Sequence, residues 1–220
     1  MLTVGRLHII TDTSLQRRYS HIELAALALE GGADVIQYRR KDAATRLLLE
    51  EARAMAALCR PAGVPLIVND RADVALAADA GGVHLGDMDL PIPIARDLLG
   101  AHRLIGGSAD NAEEAVASAR EGADYVGIGP VYATTSKRDT GAVLGLDGLA
   151  RAVAACGRPL IAIGGVTLER LPEILATGVH GVAVLSAFCA AEDPSGQVRA
   201  MQRCLAGFPL RDAPGRRGSR

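Results

Sequence analysis

Short apolar runs alternate with amphipathic stretches along the whole chain. The segments EGGADVIQYR, AGGVHLG, EGADYVGIG and TGVHGVAVLS share one order, in which a helical stretch ends at glycine and a short β-branched run follows. Glycine supplies a left-handed cap after a helix, and an apolar run of about 4–6 residues is typical of a strand buried on both faces. The pattern predicts eight strands: Leu7–Thr11, Val35–Arg39, Leu66–Asn69, Val83–Leu85, Leu104–Gly107, Tyr125–Ile128, Leu160–Ile163 and Val182–Leu185.

Amphipathic helices are predicted between these strands. The segment IELAALALE has apolar residues at helical spacing, and Ser20 precedes it as a candidate N-cap. The longer stretch ATRLLLEEARAMAALC is also amphipathic, and NAEEAVASAREG begins with the N-cap residue Asn111 and has acids in its first turn. Strands that alternate with helices indicate parallel βαβ units.

Eight such units favour an α/β fold of one kind, a single (β/α)₈ TIM barrel. A doubly wound open sheet is the alternative, but its dinucleotide-binding form requires G-x-G-x-x-G after the first strand, and LHIITDTSLQR lacks it. We expect residues 1–208 to form one catalytic domain. The tail, residues 209–220, is rich in proline, glycine and arginine, and we expect it to be disordered.

Composition narrows the function classes. The 220 residues are 49% hydrophobic with a net charge of −1, which suits one large core and offers no basic surface for nucleic acid. No apolar run approaches the roughly 20 residues of a membrane span. We expect no signal peptide, because the N-terminus MLTVGRLHIITD has no basic region followed by an apolar one. The four cysteines are scattered without metal-site spacing, so we expect free thiols and a cytoplasmic location. A homo-oligomer is compatible with the sequence.

Basic residues lie where the second strand ends, which in a barrel of this kind is the active-site face. Gln37, Arg39 and Lys41 alternate, so in a strand that continues that far their side chains share one face. Arginine offers a fork of donors to phosphate oxygens, and lysine offers a point charge. A solvated charged loop is the alternative, but the polar residues at the other strand ends favour the phosphate role.

Acidic residues follow the third and fourth strands. Asp70 and Asp89 fall at neighbouring strand ends, and two hard carboxylates beside basic residues suggest Mg²⁺, which is completed by water and substrate phosphates. Asp87 has the same parity as Asp89, so spacing alone does not choose between them. A helix cap at Asp70 and a loop carboxylate at Asp89 are the alternatives.

Glycines follow the seventh strand in IAIGGVT, which leads into a helix predicted to begin near Thr167. With AVLSA on the eighth strand, they resemble the phosphate-binding corner of many barrels. A tight turn at Gly164 and Gly165 is the alternative.

The polar loop GPVYATTSKRDTGA follows the sixth strand, and it is long for a connection inside a compact domain. Thr134, Thr135, Ser136 and Lys137 offer hydroxyl donors and a cation to an anionic substrate, and Gly129 and Gly141 are candidate hinges for closure. A surface insert is the alternative, chiefly for residues 138–144.

The assembled site would bind two anions, a diphosphate at the basic and acidic residues and a monophosphate at the glycines. No Ser-His-Asp, Cys-His or paired general-acid arrangement is apparent. Departure of a diphosphate with metal assistance needs charge stabilisation and positioning, and it needs no protein nucleophile.

In order and spacing, the motifs QYRRK, IVND, HLGDMD, GGS, GPVYATTSK, IAIGGVT and VAVLSA resemble those of the thiamine-phosphate synthases, from LHIITD to about Asp193. The resemblance implies a transferase that joins 4-amino-2-methyl-5-pyrimidinylmethyl diphosphate to a thiazole phosphate alcohol, giving thiamine phosphate and diphosphate. The family chemistry is dissociative, because diphosphate leaves before the thiazole nitrogen attacks.

The resemblance also assigns roles to single residues. Asp70 and Asp89 would hold Mg²⁺, which chooses Asp89 over Asp87. Arg39, Ser108 and Lys137 would be catalytic. The residues expected to bind the pyrimidine diphosphate are Gln37, Tyr38, Arg39, Arg40, Lys41, Asn69, Ser108 and Lys137. Those expected to bind the thiazole phosphate are Thr134, Thr135, Ser136, Gly165, Leu185 and Ser186.

Two rival functions remain. A related barrel, the thiazole tautomerase, needs an acid–base residue at the mouth, typically histidine, whereas His102 precedes its strand and His84 lies within one. A non-catalytic phosphate-binding barrel would tolerate loss of the two metal-binding acids, which are present here. The chain departs from the family at Asp87, where glutamine is common, and in GGSADN, where the family commonly has a polar or histidine-containing stretch.

We predict that Lys137→Ala lowers turnover severely and leaves the fold intact, because the lysine is expected to meet only ligand. Steady-state kinetics with both substrates, alongside circular dichroism of the variant, would test this. A kcat like that of the wild type would count against the assignment.

Overall fold

The computed structural model describes residues 2–134 and 142–210. In it, each strand pairs in parallel with its neighbours in sequence, and the eighth pairs with the first to close a barrel. The strands are β1 (Leu7–Thr11), β2 (Val35–Tyr38), β3 (Leu66–Asn69), β4 (Gly82–Leu85), β5 (Leu104–Ala109), β6 (Tyr125–Ile128), β7 (Leu160–Ala162) and β8 (Gly181–Val184). The predicted (β/α)₈ barrel is confirmed.

Helices follow the strands, and none in the described part of the chain is long and apolar enough to cross a membrane. They are α1 (His21–Gly31), α2 (Thr45–Cys59), α3 (Ala72–Ala77), α4 (Ile92–Leu99), α5 (Ala112–Arg120), α6 (Gly145–Ala155), α7 (Leu171–Ala176), α8 (Ser186–Cys189) and α9 (Pro194–Ala206). Two 3₁₀ turns lie at Thr13–Leu15 and Arg60–Ala62. Residues 211–220, most of the tail predicted to be disordered, lie outside the described residues.

Two of the predicted helices, α1 and α5, begin at side-chain caps. Ser20 accepts a hydrogen bond from the Glu23 N–H, and the Glu23 carboxylate accepts from the Ser20 N–H, which is a complete capping box. Asn111 caps α5 by accepting from the Glu114 N–H at 2.9 Å. Both caps were predicted from the sequence. The helix after β7 begins at Leu171 rather than near Thr167, so that predicted start is wrong.

Apolar residues fill the barrel and separate it from the helices. The largest cluster packs between strands and helices and includes Ile9, Leu24 and Ile36. Two smaller clusters lie inside the barrel, one of them made by Val35, Ile67 and Leu104. The second interior cluster consists of Ile10, Tyr125, Ile161 and Ala183. Towards the C-terminal ends of the strands the interior becomes polar, which is where the predicted site lies.

Gly82 lets two strands approach each other closely at the N-terminal end of the barrel. A Cβ atom there would overlap the Leu104 carbonyl oxygen, whereas a Cβ on Gly157 would meet nothing within 4 Å. We predict that Gly82→Ala lowers the free energy of unfolding by about 1–3 kcal/mol, because the strands must shift to admit the methyl group. Urea denaturation would measure this, with Gly157→Ala as the matched control. Equal stability of the two variants would contradict the prediction.

Candidate active site

The basic residues at the end of β2 reach towards two different neighbours. β2 ends at Tyr38, one residue before the predicted end, so Arg39 and Lys41 lie in the loop that follows. Arg39 forms an ion pair with Asp12, which follows β1. Lys41 forms an ion pair with Asp70, which follows β3, at 3.0 Å between Nζ and Oδ2. The two cations therefore span the mouth of the barrel from β1 to β3.

Asp12 is a site residue that the sequence reading missed. It is buried, and its second carboxylate oxygen accepts from the Ser14 N–H at 2.8 Å and from the Ser14 hydroxyl at 2.6 Å. A carboxylate fixed in this way holds the Arg39 guanidinium in one place. The signal in the sequence is an acid directly after the first strand, in LHIITD.

Gln37 is buried within β2, where its backbone pairs with Ile10 and Ile67. The side chains of Tyr38 and Arg40 lie apart from the basic group. The Tyr38 hydroxyl donates to Glu51 in α2, and Arg40 forms an ion pair with the same carboxylate at 2.6 Å. Side chains alternate along the segment, which explains why these two contact a helix instead of the mouth.

Asp70 and Asp89 are neighbours, as the sequence predicts. The Asp70 N–H donates to the His84 carbonyl at 2.8 Å, and Asp70 has a left-handed backbone with φ of 66°. Asp89 accepts from the Gly86 N–H at 2.7 Å. Asp87 is exposed, and Asp89 is the residue of this pair that lies beside Asp70.

Burial raises the pKa of Asp89, the Gly86 N–H bond opposes this rise, and the adjacent Asp70 carboxylate adds to it. The raised pKa means that ionising Asp89 is costly in the folded protein. A positive charge between the two carboxylates would remove that cost. Within residues 2–134 and 142–210, no group of three or more Asp, Glu, His or Cys side chains is placed to hold a metal ion.

Ser108 lies on β5 and forms a hydrogen bond with His84, and its hydroxyl and the Asp89 carboxylate both lie near Gly86. The distance between the Ser108 hydroxyl oxygen and His84 Nε2 is 3.1 Å. Asn69, the last residue of β3, pairs with His84 in the sheet. The ends of β2, β3, β4 and β5 therefore bring Lys41, Asp70, Asp89 and Ser108 to one side of the mouth.

A second side of the mouth is formed by the glycines after β7. Gly164 and Gly165 have φ of 93° and 66°, which favour glycine, and a Cβ on Gly164 would lie 2.6 Å from Pro130. The Tyr132 N–H donates to the Gly164 carbonyl at 3.1 Å. Half-buried Leu185 and exposed Ser186 follow the neighbouring strand β8.

Arg170 adds a cation to this corner that the sequence reading also missed. Its Nη1 donates to the Gly165 carbonyl at 2.8 Å, and its guanidinium lies 4.3 Å from the centre of the Tyr132 ring. Tyr132 in turn donates to Glu173. These contacts fix the peptide at Gly165.

The loop after β6 is described at both ends. Thr134 is half-buried, and the carbonyl oxygen of Ala133 before it lies close to Gly165. At Gly129 a Cβ atom would overlap the Ile163 carbonyl, and the Gly129 N–H donates to the Ala109 carbonyl at 3.1 Å. Thr135, Ser136, Lys137 and Gly141 lie outside the described residues.

The family of this chain follows from comparison with known proteins. A family model described as thiamine monophosphate synthase matches residues 7–188. A thiamine-phosphate synthase of Salinibacter ruber is 49% identical over 96% of this chain and 92% of its own length. The thiamine-phosphate synthase of Chloroflexus aurantiacus is 47% identical over 90% of this chain and 91% of its own length.

A solved structure agrees with these relatives. The thiamine phosphate pyrophosphorylase of Pyrococcus furiosus superposes with a TM-score of 0.84 at 38% identity, over 92% of this chain and 96% of that one. The residues matched by the family model, 7–188, include the strand ends described above. The chain therefore belongs to the thiamine monophosphate synthase family and is a transferase of thiamine biosynthesis.

Proposed function

We propose that the enzyme joins 4-amino-2-methyl-5-pyrimidinylmethyl diphosphate to 4-methyl-5-(2-phosphoethyl)thiazole and releases thiamine phosphate and diphosphate. With the carboxylated form of the thiazole, carbon dioxide is released as well. The observation that carries the proposal is the contact of Lys41 with Asp70 beside Asp89. A cation and two adjacent carboxylates at one mouth suit a diphosphate and its counter-ion.

The two ion pairs support different roles for the two cations. The Arg39 and Asp12 side chains are 17% and 7% exposed, so the guanidinium is held in place before a substrate arrives. The Lys41 side chain is 55% exposed, and an exposed pair of this kind contributes about 0–1 kcal/mol. Lys41 can therefore exchange Asp70 for a phosphate oxygen at little cost, while Arg39 acts as a fixed donor.

Asp70 and Asp89 have the oxygen ligands that Mg²⁺ prefers, and the raised pKa of Asp89 supports a bound cation between them. A site with two protein carboxylates leaves positions for water and for phosphate oxygens, as is usual for Mg²⁺. When bound, the ion would neutralise charge that develops on the departing diphosphate. We propose that Lys41 and Asp70 separate as this complex forms.

The glycine corner supports binding of the second anion, the thiazole phosphate. Glycines at 164 and 165 expose backbone at the end of β7, and Arg170 supplies a nearby positive charge. Thr134 lies next to this corner through Ala133. The thiazole would then lie between this corner and the pyrimidine, with its ring nitrogen towards the methylene carbon.

The bond changes need no catalytic base. The bond between the pyrimidine methylene and the diphosphate oxygen breaks, and its electron pair leaves with diphosphate. The lone pair of the thiazole nitrogen then forms the new carbon–nitrogen bond, and no proton is transferred when the thiazole carries no carboxylate. The carboxylated form also loses carbon dioxide, and the electron pair left on the ring carbon takes a proton from solvent. Arg39 and the other donors stabilise the leaving group, and the walls of the mouth hold the two rings in line.

A cytoplasmic location is part of the proposal. All four cysteines are free, and burial raises the pKa of Cys59 and Cys189 to about 11. Free thiols of this kind suit a reducing compartment.

The direct test is to incubate the purified protein with both substrates and Mg²⁺ and to detect thiamine phosphate by mass spectrometry. We expect product only when both substrates are present, loss of product in excess EDTA, and recovery when Mg²⁺ is restored. Absence of product would overturn the proposal, and full activity in EDTA would exclude the metal role. Isomerisation of a thiazole without the diphosphate would instead favour the tautomerase.

A pair of variants tests which acid holds the metal. We predict that Asp89→Asn raises the free energy of unfolding in metal-free buffer at neutral pH, because it removes a carboxylate whose ionisation the fold opposes. A raised pKa in an acid costs stability as the pH rises through that pKa, so the gain over the wild type should shrink on acidification. Turnover should fall roughly a hundredfold or more.

Asp87→Asn is the matched control, with the same chemical change at an exposed neighbour. Thermal unfolding with and without Mg²⁺, and steady-state kinetics, would be measured for both. Stabilisation by Mg²⁺ should persist in Asp87→Asn and disappear in Asp89→Asn. The opposite pattern would move the metal to Asp87.

A further inference from the structure

Three polar side chains form a chain of hydrogen bonds inside the barrel, which runs from its middle to the mouth; we call this chain the file. The Tyr125 hydroxyl lies 3.3 Å from His84 Nδ1, and His84 Nε2 lies 3.1 Å from the Ser108 hydroxyl. The resemblance to the thiamine-phosphate synthases described above assigns no role to Tyr125 or His84. Ser108 is the member of the file that reaches the proposed substrate site.

Glycines on the strands beside them make room for the two rings. A Cβ on Gly106 would overlap both Tyr125 and His84, and a Cβ on Gly127 would lie 3.0 Å from the His84 ring. Tyr125 is also in edge contact with His8, at 5.1 Å between ring centres, and stacks on His84 at 5.6 Å. The direction of the Tyr125 hydroxyl is therefore fixed by packing.

The hydrogens of this file can be assigned from its hydrogen bonds. Tyr125 is 1% exposed, and burial raises its pKa, so the phenol keeps its proton. Among residues 2–134 and 142–210, His84 Nδ1 is the acceptor within reach of that hydroxyl. A buried hydroxyl that fails to donate loses about 1–3 kcal/mol, so Tyr125 donates and Nδ1 accepts.

The other ring nitrogen must then carry the hydrogen of a neutral His84. Nε2–H donates to the Ser108 oxygen, which leaves the Ser108 hydrogen for another partner. In the described residues, His84 is the one side chain that hydrogen-bonds the Ser108 hydroxyl. The free hydrogen therefore points to an acceptor that arrives with the substrate.

We propose that Tyr125 and His84 are positioning residues that make Ser108 a hydrogen-bond donor to the pyrimidine, to the lone pair of a ring nitrogen. The Tyr125 hydroxyl determines which His84 nitrogen carries the hydrogen. That nitrogen in turn determines that the Ser108 oxygen accepts from His84 and that the Ser108 hydrogen is donated to the substrate. This inference rests on the proposed function for the identity of the ligand, but the tautomer itself does not depend on that function.

The first test reads the tautomer directly. Protein labelled with ¹⁵N-histidine would be studied by long-range proton–nitrogen NMR, with the His84 signals assigned by their loss in His84→Gln. We expect Nδ1 to be unprotonated and Nε2 to be protonated in the wild type. A ring protonated at Nδ1, alone or together with Nε2, would overturn the inference even if the enzyme is fully active.

The second test removes the tyrosine hydroxyl. In Tyr125→Phe we expect the tautomer preference to weaken and the KM for the pyrimidine diphosphate to rise roughly three- to tenfold with kcat little changed, as for loss of one neutral hydrogen bond. Tyr19→Phe, the same change outside the barrel, is the control and should leave the tautomer and the KM unchanged. An unaltered tautomer or KM in Tyr125→Phe would contradict the inference.

A third pair of variants serves if Tyr125→Phe folds poorly. His84→Gln retains an N–H donor for Ser108, whereas His84→Leu has a similar size and no donor. We expect His84→Gln to keep a lower KM than His84→Leu, and equal values would overturn the positioning role. If the wild type forms no thiamine phosphate, the proposed function fails, while the NMR result still decides the tautomer.

Discussion

Two carboxylates held side by side at neighbouring strand ends are the constraint on which the active site depends. The parallel pairing of β3 with β4 brings their ends together, and the backbone bonds of Asp70 to His84 and of Asp89 to Gly86 prevent the acids from separating. Their repulsion requires positive charge nearby, which Lys41 partly supplies. The two carboxylates are therefore stabilised by any cation that lies between or beside them, and they lie where an anionic substrate and its counter-ion would bind. This explains why acidic and basic side chains occur together at the mouth of the barrel.

The strand positions were predictable because each apolar run is bounded by glycine or a polar residue, as in β1, β3 and β6. Placing Lys41, Asp70 and Asp89 together was also predictable, since the ends of parallel strands meet at one face. The choice of Asp89 over Asp87 was not available from spacing, because both have the same parity. It depends on the turn at Gly86, whose N–H holds Asp89 next to Asp70.

Side-chain directions and long-range ion pairs could not be predicted from the sequence. The directions of Tyr38 and Arg40 follow from the end of β2 and from Glu51, which lies thirteen and eleven residues further along the chain. Asp12 is distant in sequence from Arg39, and only the pairing of β1 with β2 brings them together. Long-range ion pairs of this kind leave no periodic signal. The loop residues Thr135 to Lys137 remain a prediction from the sequence.

The barrel interior changes character along its axis, and this change links the fold to the chemistry. At the N-terminal end, Val35, Ile67 and Leu104 exclude water and stabilise the closed sheet. Above them Tyr125 and His84 are polar, but glycines on adjacent strands allow their rings to pack closely and bond to each other. Packing at the apolar end fixes the positions of these rings. The Tyr125–His84 hydrogen bond then sets the direction of the His84–Ser108 hydrogen bond, and so the direction in which Ser108 donates. Packing deep in the core can thus fix whether a hydroxyl at the mouth donates or accepts a hydrogen bond. A hydroxyl on a flexible loop would not be fixed in this way.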